Sequence, residues 1–189
     1  MTQQSLFEDA ALPSGLVLRE AFITREEEAA LLDHVRALDL REAQYKEYTA
    51  RRRVASFGSG FDYDANELVP APRIAPFLLP LRDKVAAWAG VAPSDFGYAL
   101  VSEYRPGTPL GWHRDVPQFE VIAGVSLGTA ARMRFRPYPP RKADPILALE
   151  LAPRSAYVLR DDVRWKWQHS VAPTPGLRYS ITFRTRTAR

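Results

Sequence analysis

The apolar positions of this chain change period partway along it. Between Thr24 and Leu38 they recur at helical spacing, with Leu31, Val35 and Leu38 on one face. Thr24-Arg25-Glu26-Glu27 fits a capping box, Thr at the cap and Glu three residues on, so a helix should open there. A short strand from Leu16 to Ile23 is expected before it. A proline-rich connection, Pro70 to Pro76, leads to a second helical stripe of Leu78, Leu81, Val85 and Trp88. Pro80 suits the first turn of that helix and Gly90 its end. From about Phe96 the period becomes two. Phe96, Tyr98, Leu100, Ser102 and Tyr104 alternate onto one face, and strands should follow at 110–114, 121–127, 132–136, 146–151, 155–159, 163–171 and 177–187. On the 132–136 strand Met133 and Phe135 would face in. Arg132, Arg134 and Arg136 would face out, as a basic stripe or as an ordinary solvated face.

Two helices followed by many short strands predict an α+β fold, a jelly-roll core with the two N-terminal helices packed against it. At 189 residues a single domain over 15–189 is expected, after a loosely ordered lead-in at 1–14. Composition adds little: 46% hydrophobic and 25% charged residues are ordinary for a soluble globule. The absence of cysteine excludes disulfides, thiolate metal sites and a cysteine nucleophile. No apolar run is long enough for a membrane span and no signal peptide is evident, so a cytoplasmic protein that does not engage membranes is expected. The net charge is +4. One segment of the chain is both basic and aromatic-rich. Lys46, Arg51, Arg52 and Arg53 precede Phe57, Phe61 and Tyr63, a mixture that suits phosphates and stackable bases together. A solvated loop whose rings pack on the sheet is the other reading.

The candidate chemistry lies in the strand region. In His113-Arg114-Asp115 the His and Asp share a face if the chain is extended. The chain has three histidines. His34 falls on the flank of the first helix, which leaves His169 as the natural third member of a two-histidine, one-carboxylate iron(II) site. In the last strand Arg178, Ser180, Thr182 and Arg184 share one face, and Tyr179, Ile181 and Phe183 the apolar other. Two arginines turned inward would need an anion such as a dicarboxylate. The alternative is a solvent-facing edge.

Taken in order, His113-x-Asp115, His169 and Arg178-Tyr-Ser-Ile-Thr-Phe-Arg184 resemble the AlkB family of iron(II)- and 2-oxoglutarate-dependent dioxygenases. Ser102-Glu-Tyr104 with Arg-Pro-Gly after it, Val125-Ser-Leu-Gly128 and Arg154-Ser-Ala-Tyr-Val-Leu159 are similar to the family as well. The resemblance covers about residues 96–186. It implies a double-stranded β-helix over 96–187, and a substrate-recognition lid at 45–72. It implies iron held by His113, Asp115 and His169, with 2-oxoglutarate and dioxygen as co-substrates. It further implies that Arg184 and Tyr104 hold the distal carboxylate of 2-oxoglutarate, with Ser102, Arg178 and Ser180 lining the same pocket. Arg51, Arg52, Arg53, Phe57, Tyr63 and Trp112 are the candidate substrate contacts. Trp112, Trp165 and Trp167 are otherwise open between core packing around the metal strands and substrate stacking. The chain departs from the family in having Ser102 and Ser180 where relatives carry asparagine, and Pro117 where DNA-repairing relatives often carry an acid. The activity implied is oxidative demethylation of N-alkylated bases in single- or double-stranded nucleic acid by a monomer. A dioxygenase of a protein or small molecule, or a catalytically silent metal-binding jelly roll, are the alternatives.

Overall fold

The computed structural model describes residues 12–45, 48–62 and 67–188. The strands are β1 (Leu16–Arg19), β2 (Arg41–Tyr45), β3 (Tyr48–Phe57), β4 (Ser59–Asp62), β5 (Glu67–Pro70), β6 (Tyr98–Tyr104) and β7 (Leu110–His113). They continue as β8 (Phe119–Gly128), β9 (Ala131–Pro137), β10 (Leu147–Leu151), β11 (Ala156–Leu159), β12 (Trp167–Val171) and β13 (Arg178–Arg186). The helices are α1 (Arg25–Arg36), α2 (Leu79–Ala89) and the short α3 (Asp161–Trp165).

Two antiparallel sheets face each other. The larger has the order β1-β11-β8-β13-β6-β3-β2 and the smaller β10-β9-β12-β7, while β4 and β5 form a separate two-stranded ribbon. Period two decides what lies on each side of the larger sheet. Tyr179, Ile181 and Phe183 of β13 join Val101 and Val125 against Val35 of α1 and Val85 of α2. A second apolar cluster holds Ile122 and Leu159 of the larger sheet with Met133, Phe135 and Leu151 of the smaller. The result is a layer of helices, a large sheet and a small sheet, the arrangement of a jelly roll.

The helix predictions hold closely. Thr24 Oγ1 accepts from the Glu27 backbone N–H at 3.1 Å, and Glu27 Oε2 accepts from the Thr24 N–H at 2.7 Å. Gly90 ends α2 with φ at 68°, a left-handed conformation that costs glycine nothing. Glu28 pins α1 to the sheet. It accepts from the Gly128 N–H at 2.9 Å and pairs with Arg154 at 3.0 Å. His34 is an exposed flank residue, stacked on Phe77 with centroids 4.8 Å apart.

Four expectations need correction. The first strand stops at Arg19, because Ala21 adopts φ of 47° and turns Phe22 and Ile23 into the helix-side core. The single strand expected over 163–171 is α3 followed by β12. Phe96 lies outside β6 and packs against Phe183, away from the face shared by Leu100, Ser102 and Tyr104. The 45–72 segment is not a lid throughout, since β3 hydrogen-bonds to β6 inside the larger sheet. Residues 1–11, Lys46, and Tyr63 lie outside the described residues, as does the side chain of Phe61.

Candidate active site

β7 and β12 are neighbours in the smaller sheet, and their register places His113 opposite His169. The two rings approach to 4.3 Å between centroids. Asp115 follows on the loop after β7, and one ligand atom from each of His113, Asp115 and His169 lies within 4.8 Å of the others. His169 Nε2 is 3.6 Å from Asp115 Oδ2. His113 Nδ1 sits 2.9 Å from the Gly111 carbonyl, and a proton there leaves Nε2 bare for coordination.

The donor set fits a divalent iron chemically. Burial pulls His169 down to about 3, helped by neighbouring His113, against the opposing pull of Asp115. Burial also lowers His113. Both imidazoles are therefore neutral near pH 7, the form that binds metal. Burial pushes the Asp115 carboxyl up, but Arg184 above all, then His169 and His113, hold it far below the usual carboxylate range. Arg184 Nε donates to Asp115 Oδ1 at 2.9 Å and Arg184 Nη1 to Thr182 Oγ1 at 2.9 Å.

The loop bearing Asp115 is braced by a residue that the sequence did not single out. Arg164 of α3 is buried, and its Nη2 donates to the Val116 and Phe119 carbonyls at 2.8 and 2.7 Å. Those bonds fix the loop on either side of Pro117. Nothing in the pattern at 163–171 marks Arg164, because a strand reading gives it no inward partner.

Across the cavity lies the larger sheet. Arg178, Ser180, Thr182 and Arg184 face the metal ligands, together with Ser102 and Tyr104, around some 450 Å³ of empty space including the mouth. The inward reading of both arginines is what the structure shows. Arg178 is only 2% exposed. Its Nε donates to Ser126 Oγ at 3.0 Å, and its guanidinium lies 4.9 Å from the Tyr104 ring centroid. Register sets Tyr104 opposite Arg178, and Arg184 opposite Tyr98. Arg184 and Arg178 are thus six positions apart along β13, about 20 Å of strand. Arg184 touches the Asp115 carboxylate and Tyr104 touches Arg178, so the two residues expected at one carboxylate each have a different neighbour in the cavity. The geometry pairs Tyr104 with Arg178 instead.

The basic triplet separates by period two. Arg52 is buried in the cavity, its Nη1 at 3.5 Å from the Tyr104 hydroxyl. Burial raises the Tyr104 hydroxyl, but Arg52 and Arg178 together bring it below the usual tyrosine value. Arg53 turns to the helix side and grips Glu103 through two bonds of 2.7 and 2.8 Å. Arg51 is exposed. Phe57 is part of the helix-side core, so it offers no face to a substrate. Trp112 also turns away from the cavity. It lies on the outer face of the smaller sheet beneath Arg134 and Arg136. Trp167 packs against the cluster between the sheets, whereas Trp165 is 37% exposed.

Tyr157 is a cavity residue that the sequence reading passed over. It stands opposite Gly124 in the β8–β11 register, and its ring occupies the space that a Cβ on Gly124 would need. Burial pushes its hydroxyl up to about 12, so it stays a neutral donor. Alternation from Leu159 was the available signal, since both face the smaller sheet.

A jelly roll with a His-Asp-His cluster facing two inward arginines matches what comparison with known proteins finds. The chain belongs to the 2OG-Fe(II) oxygenase superfamily, which it matches over residues 15–184. Within that class the curated proteins it is similar to include AlkB homologues. It is 26% identical over 166 residues to uncharacterized protein L905 of Acanthamoeba polyphaga mimivirus, covering 85% of this chain and 74% of that one. It is 29% identical over 169 residues to mouse tRNA (carboxymethyluridine(34)-5-O)-methyltransferase ALKBH8, covering 86% of this chain. There the match spans only 25% of the relative's length. Among solved structures, OsALKBH1 superposes with a TM-score of 0.71 at 15% identity, covering 94% of this chain and 99% of that one. A prolyl-4-hydroxylase of Pseudomonas putida superposes with a TM-score of 0.62 at 15% identity, covering 92% and 93%. These two likenesses are of fold. The expectations of a jelly roll and of an iron(II)- and 2-oxoglutarate-dependent dioxygenase are borne out. No helix among the described residues is long and apolar enough to cross a membrane.

Proposed function

We propose that this dioxygenase removes N-alkyl groups from the bases of nucleic acid. The observation that carries the reading is the cavity itself, with a His-Asp-His cluster on one wall and two separate guanidinium groups on the other. His113, Asp115 and His169 would hold iron(II). Iron so held supplies activation of dioxygen, coupled to oxidative decarboxylation of 2-oxoglutarate and hydroxylation of a substrate C–H bond. An N-methyl group hydroxylated in this way falls apart to formaldehyde and the free amine, with succinate and carbon dioxide as the other products.

The chain's own residues set the stage for that chemistry. Arg184, beside Asp115, is placed for the carboxylate of 2-oxoglutarate nearer the metal. Arg178 and Tyr104 are placed for the distal one, with Ser102 and Ser180 lining the wall between strands β6 and β13. Leu100, Ile122, Met133, Leu151 and Val171 form the apolar part of the same cavity's lining. Arg52 reaches the cavity from β3 and is the substrate-side cation. A duplex base would have to leave its stack to enter. The nucleic-acid part of the reading draws on the AlkB-type relatives, one of them named for action on tRNA.

The test is succinate production by iron-loaded protein with and without N-methylated single-stranded oligonucleotides, with formaldehyde measured in parallel. Matched succinate and formaldehyde, both lost in His113→Ala, support the proposal. Succinate without formaldehyde from any methylated strand sinks the demethylase reading and moves the search to proteins and small molecules. No iron-dependent succinate at all leaves a silent metal-binding jelly roll.

A further inference from the structure

The outer face of the smaller sheet carries a second feature, remote from the cavity by one sheet thickness. β12 runs between β9 and β7. Arg134 and Arg136 on β9 reach across it toward Trp112 on β7, with guanidinium carbons 5.1 and 4.4 Å from the ring centroid. On the way each is tied by its Nε, Arg134 to Ser170 Oγ at 3.0 Å and Arg136 to Gln168 Oε1 at 2.9 Å. Arg114 reaches the opposite way. Its guanidinium lies 3.8 Å from the Tyr138 ring centroid and donates to the Trp165 carbonyl at 3.0 Å. Arg132 continues the row, exposed.

This lattice is built unlike a merely solvated face. Among the described residues no carboxylate forms an ion pair with Arg114, Arg132, Arg134 or Arg136. Glu150 stands opposite Arg132 in the strand register and offsets part of its charge, which leaves Arg114, Arg134 and Arg136 as like charges that an anionic partner would relieve. The Nε bonds and the ring stacking hold Arg134 and Arg136 in fixed attitudes and turn their remaining N–H edges away from the tethers. A planar, pre-oriented guanidinium matches a phosphate with two parallel bonds. Tyr138, 42% exposed, adds a ring at the margin where a base could stack. The face lies directly behind the candidate ligands, since Trp112 and Arg114 flank His113 in sequence and point to the opposite side of the smaller sheet.

We infer that this outer face binds the phosphate backbone of a single-stranded nucleic acid, holding the strand whose base enters the cavity. A row of arginines interleaved with rings fits phosphates flanked by bases. The inference rests on the nucleic-acid part of the proposed function but not on which bond is oxidised.

The experiment measures binding of a fluorescent, unmethylated single-stranded oligonucleotide to the full chain over a range of salt. Arg134→Gln/Arg136→Gln should weaken binding roughly tenfold and flatten the slope of log affinity against log salt by about 1.4, two phosphate contacts' worth. Arg134→Lys/Arg136→Lys should keep the slope. Succinate formation without substrate should be unchanged in both, because neither arginine lines the cavity. If the glutamine pair fails to fold by circular dichroism, exposed Arg132→Glu takes its place, with the same direction expected. Binding and slope equal to wild type in the folded variant overturn the inference, as does displacement of the oligonucleotide by phosphatidylglycerol vesicles. Formaldehyde from a methylated nucleoside, with strand binding unaltered by the glutamine pair, sinks this face and leaves the demethylase standing. Weakened strand binding in that pair, with no formaldehyde from any methylated base, does the reverse.

Discussion

Asp115 is asked to do two things, to coordinate and to balance Arg184. Replacing it with asparagine removes the charge from both tasks and leaves Arg184 confined beside a neutral amide. Iron-dependent succinate formation by Asp115→Asn should fall by at least about a hundredfold, since even outer-shell ligand partners are commonly worth 10–100-fold. A residual rate within a few-fold of wild type would count against Asp115 as a ligand. Gly124 makes a second residue-scale prediction. A methyl group there meets the Tyr157 ring, so Gly124→Ala must displace Tyr157 into the cavity or spread β8 from β11. The expected cost is about 1–3 kcal/mol of stability, read from denaturant unfolding, with a raised KM for 2-oxoglutarate. Unchanged stability and KM would mean the ring has room to move.

These residues differ in how far the chain advertises them. His113, Asp115 and His169 were legible because histidines are scarce here and period two puts His113 and Asp115 on one side. Arg178 and Arg184 were legible as a pair, but not which end of the ligand each meets, because that depends on which strand lies opposite. Arg52 was legible as basic and not as buried: its inward turn exists only because β3 is a sheet strand, a pairing that β6 and not the local sequence decides. Phe57 was misread for the same reason.

At the scale of elements, one buried carboxylate joins three strands of the larger sheet. Glu103 on β6 accepts from Arg53 on β3, from the Tyr179 hydroxyl on β13 at 3.2 Å, and from Arg105 at 3.2 Å. The hydrogen bonds from Arg53 lead burial's opposing effect and hold its carboxyl below the usual value. A lowered folded-state pKa means the folded protein binds this proton less readily than the unfolded chain. The stabilisation is thus fully present above the unfolded value, about 4.3, and is lost as pH falls through the folded one. Glu103→Gln should cost on the order of 1–3 kcal/mol at pH 7, with a smaller difference from wild type as pH drops below about 4. Urea midpoints at the two pH values decide it. A gap that widens on acidification would contradict the assignment. The helices were easier to foresee than this network, since caps and stripes are local whereas Glu103 meets Arg53 fifty residues away. α3 escaped for a different reason. It is a single turn of five residues, too short to show a period.

At the scale of the molecule the two sheets contribute different halves of one site. The candidate metal ligands come from β7, β12 and the loop between β7 and β8, on the smaller sheet's side. The arginines, Tyr104 and both serines come from β6 and β13 of the larger sheet. A co-substrate bound to metal at one end and to Arg178 at the other would bridge the sheets, so its binding energy should appear as resistance to unfolding. With a redox-silent divalent ion such as manganese, kept anaerobic, the metal alone should raise Tm by stabilising the smaller-sheet side. Adding 2-oxoglutarate at a hundred times its Kd should contribute a further ~2.7 kcal/mol, or roughly 5–10 °C for a domain of this size. Arg178→Met should keep the metal increment and lose the 2-oxoglutarate increment. Asp115→Asn should lose both, because without the metal one end of the bridge is gone. If Arg178→Met instead keeps the 2-oxoglutarate increment while Arg184→Met loses it, the distal carboxylate lies at Arg184 after all, and the ligand runs along the cavity in the opposite sense.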